Sequence, residues 1–140
     1  MIRTIKNLEN SIHKTNEWIN EINDRLDWND EQKTYTALEA TLHLIRDMLT
    51  VEEATDFGSQ LPLILRGSYY TNWDPSETPI SIDKSTFVSR VHAYLDNDPD
   101  IEPSVAVRRI LQFMNKKITE GEIGDVKAQL PEDIQDFWKT

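Results

Sequence analysis

Arg66, Tyr69, Tyr70 and Trp73 fall within one stretch of eight residues. A guanidinium beside aromatic rings can hold a carboxylate, a phosphate or a flat ring, so these four are the candidate ligand-binding residues. The same residues admit a structural reading, in which Arg66 pairs an acid and Trp73 anchors a connector. Gly67, between them, is expected to allow close packing or a special backbone angle. Glu39, His43 and Asp47 stand four apart, a spacing that lines one helix face and that metal sites also use. An exposed polar face accounts for them without an ion, and the residues 69 positions further on, Arg108, Gln112 and Lys116, offer no ligand beyond an amide. Asp96 to Glu102 alternates acids as a calcium loop does. Its sixth and twelfth places hold Ile101 and Val107 where such a loop needs glycine and glutamate, so a solvated loop is the expectation. No metal site and no cofactor is expected. No Ser-His-Asp order or phosphate-cradling glycine loop is present, His13, His43 and His92 are scattered, and no catalytic residue is assigned.

The elements that must position these groups are repeated. Shifted by 69 residues without a gap, residues 17–71 fall on 86–140 with apolar and capping positions in register. Leu26-Asp27 lands on Leu95-Asp96, Thr50 on Thr119, Glu53 on Glu122, Asp56 on Asp125, and Gln60-Leu61-Pro62 on Gln129-Leu130-Pro131. Each half reads as four helical segments. Trp18, Ile22 and Leu26 share one face, and Leu38, Leu42, Ile45 and Leu49 form the next stripe. Phe87, Val91 and Leu95, then Val107, Leu111, Met114 and Ile118, repeat them. Asn16 and Ser85 are the expected N-caps of the first segments. The third segments open with Thr50-Val51-Glu52-Glu53 and Thr119-Glu120-Gly121-Glu122, where hydroxyl and carboxylate are expected to satisfy backbone amides reciprocally. Pro62 and Pro131 suit the start of fourth segments that bury Leu65 and Tyr69, or Ile134 and Trp138. Residues 72–85 connect the halves. Residues 1–15 lie outside the repeat, with Ile2, Ile5, Leu8 and Ile12 spaced for an amphipathic helix that continues the first segment or packs across it. The expected architecture is all-α: one compact domain over 1–140, made of two pseudo-symmetric four-helix repeats.

Composition bounds the function. With 15 basic and 25 acidic side chains the net charge is −10, and residues 17–71 hold four basic against eleven acidic ones. Such a surface repels phosphate backbones, and Arg108-Arg109 and Lys116-Lys117 are the only basic doublets, so no nucleic acid is expected as partner. The longest apolar run, Leu61 to Leu65, is too short to cross a bilayer, and the first residues lack the apolar core of a signal peptide. No membrane partner and a cytoplasmic location are the expectations. The chain has no cysteine, which excludes disulfides and thiolate chemistry.

From Gln60-Leu61-Pro62 through Arg66-Gly67, Tyr69-Tyr70 and Trp73-Asp74-Pro75, then Phe87 to Val91 and Ile118 to Pro131, the order of motifs resembles the bacterial family catalogued as domain of unknown function 2267. The resemblance covers about residues 10–138. It implies a small, mostly helical cytoplasmic protein and supplies no activity, substrate or cofactor. What the duplication keeps are core and cap positions, the marks of a scaffold. The functional expectation is therefore a protein-interaction or regulatory module without catalysis, with a protein partner or self-association. The alternative is a small-molecule binder or unmarked enzyme using Arg66, Tyr69, Tyr70 and Trp73 at the junction of the halves.

Overall fold

A computed structural model describes residues 5–139; Ile2 lies outside the described residues. Eight α-helices follow in order: α1 Lys6–Leu26, α2 Glu31–Asp47, α3 Val51–Gly58, α4 Leu63–Tyr70, α5 Lys84–Tyr94, α6 Pro103–Lys117, α7 Glu120–Gln129 and α8 Glu132–Gln135. Short 3₁₀ turns occupy Pro75–Glu77 and Asp136–Trp138. The described residues contain no strand, and no helix among them is long and apolar enough to cross a membrane.

The helix α2 is the hub. It buries Ala37, Leu38, Ala40, Leu42, Leu44 and Ile45, and packs against α1, α4, α5 and α6. That burial covers nearly its whole circumference, as expected of a helix inside a core rather than on its surface. Trp18 and Ile22 of α1 meet α6, where the Trp18 and Phe113 rings stand edge to face at 5.7 Å. The short helices α3 and α7 pack on each other.

Caps explain where several elements begin. Asp30, Thr50, Asp83 and Thr119 accept from the backbone N–H three residues on, at 3.0, 3.3, 2.8 and 3.3 Å. Two expected caps are corrected. Asn16 is an interior residue of α1, because the apolar stripe that starts at Ile5 carries the helix through it. Ser85 lies inside the first turn of α5, whose cap is Asp83 two residues earlier. The turns after α1 and α5 use left-handed residues at the same offset of 69, Asp27 with φ 58° and Asp96 with φ 56°. Aspartate tolerates that region because its short side chain bonds the local backbone.

The close-packing glycine is Gly58 rather than Gly67. Gly67 has open space around it and an ordinary φ, whereas a β-carbon on Gly58 would stand 2.5 Å from Tyr70 Oη and 2.8 Å from Tyr69 Cε2. The buried Tyr69 ring has nowhere to retreat. Gly58→Ala is therefore expected to destabilise the fold by about 1–3 kcal/mol, the usual cost of overpacking. Gly67→Ala, inside α4, is expected to stabilise it by about 0.5–1 kcal/mol. Urea denaturation of the two variants beside the parent protein checks both signs.

Candidate functional site

The four residues singled out in the sequence gather around the C-terminus of α3. Arg66 donates from Nε to the Gly58 carbonyl and from Nη2 to the carbonyls of Ser59 and Leu61, each at 3.0 Å. These carbonyls lie at and just beyond the end of α3, where a helix leaves oxygens unpaired; that of Gly58 also accepts from the Leu61 amide at 3.1 Å. The partners of Arg66 are thus backbone oxygens, and no acid pairs with it among the described residues. Tyr69 is fully buried and donates its hydroxyl to the Ala54 carbonyl at 2.7 Å; burial pushes that hydroxyl's pKa far above its ordinary value. The Tyr70 ring lies between those of Tyr69, edge to face, and Trp73, tilted by 37°, with centroids 4.9 and 5.3 Å away. Trp73 is half-buried, and its indole N–H is buried without a partner. Rings and guanidinium therefore enclose the end of α3. Of the four, Arg66 alone borders an open trough of about 650 Å³ between α1 and the α3–α4 turn that Lys14, Glu17, Trp18 and Gln60 also line.

The face of α2 that carries Glu39, His43 and Asp47 is turned toward α4 and occupied by it. Ser68 Oγ donates to Glu39 at 2.9 Å, Tyr35 Oη and Ser68 Oγ share a hydrogen bond, and His43 Nε2 meets the Ser68 carbonyl at 2.7 Å. His43 is buried, so the expectation of an exposed polar face is corrected: these groups tie α2 to α4. Beside them the buried Arg46 donates to the carbonyls of Tyr69 and Thr71 at 2.7 and 2.9 Å and pairs with Asp47 at 2.8 Å. The acidic loop after α5 is likewise tied down. Asp98 accepts from Lys33 Nζ at 3.0 Å and from the Asp100 amide at 2.9 Å.

What sequence reasoning missed lies where α3 meets α7. The hydroxyl half of each expected capping box is formed, but the carboxylate half is not. The Thr50 amide donates instead to Gln129 Oε1 at 3.0 Å, and the Thr119 amide to Gln60 Oε1 at 2.9 Å. Each glutamine crosses the seam and bonds the amide that the glutamate of the opposite helix would have taken. Glu53 and Glu122 are thereby released and turned inward, 8% and 9% exposed, with Glu53 Oε2 and Glu122 Oε1 buried and without a hydrogen-bond partner outside the pair. Among the described residues, Glu53, Glu122 and Asp125 are the three acidic side chains close enough to share a metal ion, offering oxygens within 4.8 Å of one another. Burial and the facing Glu53 carboxyl push Glu122 up to about 8. The signal available in the sequence was Glu53-x-x-Asp56 recurring as Glu122-x-x-Asp125. That is one acid per helix more than a capping box requires.

Fold and site describe an all-helical protein held together by side chains bonded to helix ends, with one buried carboxyl cluster. The family described as an uncharacterised conserved protein, domain of unknown function 2267, matches residues 15–137, and the chain belongs to it. No curated protein matches the chain.

Arg66→Ala is expected to cost about 0.5–1.5 kcal/mol, because three exposed or partly buried carbonyls around the end of α3 lose their shared donor and water replaces it only in part. Arg66→Lys should recover little of it, since one ammonium cannot reproduce a fork spread over three oxygens. Chemical denaturation measures both. An alanine variant as stable as the parent would return Arg66 to the role of a ligand-binding group.

Proposed function

We propose that the chain is a non-catalytic interaction module, built as two pseudo-symmetric four-helix halves, residues 17–71 and 86–140, which pairs with a second copy of itself through α1. The observation that carries this reading is an apolar stripe without a partner. Ile5, Leu8 and Ile12 are 64%, 44% and 44% exposed along one face of α1. Ser11 of the same turns accepts from the Ile64 amide at 3.0 Å, which sets the exposed tip of α4, Leu63 and Ile64, alongside. Neighbouring exposed apolar residues of this size mark association surfaces more often than isolated ones do.

A second copy fits this stripe better than an unrelated partner for two reasons. Residues 5–19 carry two basic and two acidic side chains, Lys6, Lys14, Glu9 and Glu17, and so are neutral in a chain of net charge −10. Elsewhere two copies would meet like charge. The stripe is also self-matching: antiparallel pairing about the midpoint of residues 8 and 9 sets Ile5 opposite Ile12 and brings the two copies of Leu8 together beside the axis, as a two-fold interface requires. The overall negative charge favours a protein over a nucleic acid as partner. Support for the paired halves comes from the exchanged bonds of Gln60 and Gln129 and from the left-handed turns at Asp27 and Asp96. The bonds from Arg66 to three carbonyls favour its structural reading over a pocket for a small molecule.

Sedimentation equilibrium up to about 100 µM, a range that covers modest interfaces, is expected to show a dimer that Leu8→Glu and Ile12→Glu each convert to monomer. Both residues are exposed enough for the fold, followed by circular dichroism, to remain. A parent protein that stays monomeric throughout, or a dimer indifferent to both charges, overturns the reading.

A further inference from the structure

We propose that Glu53, Glu122 and Asp125 form a binding site for a hard divalent cation of calcium size at the seam of α3 and α7. The argument is geometric and does not depend on the dimer. Glu53 and Glu122, 8% and 9% exposed, face each other within hydrogen-bond reach, and Glu53 Oε2 and Glu122 Oε1 have no partner outside that pair. Buried polar atoms are ordinarily satisfied, and this pair satisfies itself only by holding a proton between the two carboxyls; with both ionised, each is a buried charge without a counter-charge. A cation supplies that counter-charge to both at once.

The neighbourhood offers no other counter-charge. Asp56 and Asp125 add two further acids whose charges raise the proton affinity of Glu122, and no lysine or arginine among the described residues forms an ion pair with any of the four. The glutamates reach this position only because Gln60 and Gln129 satisfy the Thr119 and Thr50 amides in their place. A local capping box would have held each carboxylate at its own helix end. The structure thus puts two carboxyl groups together where simple capping would keep them apart.

Ligand chemistry and geometry choose the ion. All three ligands are carboxylates, with no imidazole or thiolate among them, which suits calcium, magnesium or manganese rather than zinc or copper. Three carboxylates from two helices, one of them open to solvent, suit the flexible six to eight oxygens that calcium accepts better than the strict octahedron of magnesium, which is held by one or two carboxylates and keeps several waters. Asp125 is exposed, so the site opens to solvent on its side, where water can complete the six to eight oxygens that calcium takes.

Isothermal titration calorimetry of the full chain with calcium chloride in about 0.1 M potassium chloride, which screens diffuse attraction to an acidic surface, tests the assignment. One calcium per chain is expected, with a rise in melting temperature and release of a proton from the carboxyl cluster. Glu122→Gln and Glu53→Gln, close in shape and neutral, should abolish binding. Asp125→Asn, on the surface and without a folding role, should weaken it about tenfold or more. Glu77→Gln, an exposed acid in the 3₁₀ turn, should change nothing. No saturable heat up to about 1 mM calcium, tighter binding of magnesium than of calcium, binding that survives Glu122→Gln, or an affinity unchanged by Asp125→Asn overturns the proposal. If the glutamine variants also raise the melting temperature in the absence of metal while the parent ignores calcium, the cluster is a shared-proton pair instead.

Discussion

Helix ends govern this structure. The helices α3, α4, α7 and α8 have only 8, 8, 10 and 4 residues, and a helix leaves about four carbonyls and four amides unpaired at its ends whatever its length. In elements this short the unpaired groups rival the paired ones, and many lie where water does not reach. Long side chains from elsewhere supply the missing bonds. Arg66 serves the end of α3, Arg46 the end of α4, Arg108 the carbonyls of Asp136 and Lys139, and Arg109 the carbonyl of Arg25 at the end of α1. Four of the chain's few arginines thus bond backbone oxygens. A guanidinium suits the task because its donors fan out in one plane and stay charged at any relevant pH.

The same requirement produces the carboxyl cluster. Once a glutamine from across the seam satisfies the first amide of α3 or α7, the local glutamate has no capping duty and points into the interface. Two such exchanges bring two acids face to face, a costly arrangement unless a proton or a cation joins them. The bonds across the seam and the position of its two buried acids therefore arise from one substitution of partners.

The limits of the sequence reading follow from the range of the interactions involved. Hydroxyl caps at Thr50 and Thr119 were legible because donor and acceptor are three residues apart. Asn16 and Ser85 were equally good caps by residue type, but a continuous apolar stripe overrode the first and an earlier aspartate displaced the second. Gly67 drew notice through its neighbours in the chain, whereas Gly58 is the glycine with Tyr69 and Tyr70 packed onto its backbone. Arg66 was legible as unusual, since Gln135 stands at the corresponding position and makes a single bond, to the Leu130 carbonyl. That its partners would be carbonyls was not legible, because backbone oxygens carry no residue identity.

By itself the sequence determined the helical class, the number and order of the main segments, their buried faces and the hydroxyl caps at Thr50 and Thr119, since all of these rest on spacings of three, four or seven residues that a helix converts directly into neighbours. Tertiary structure alone decided which side chain serves which helix end and which charged groups lose water together. Gln129 reaches Thr50 across 79 residues of chain and Gln60 reaches Thr119 across 59. No local pattern encodes such a pairing, because it exists only once packing has brought α3 and α7 side by side.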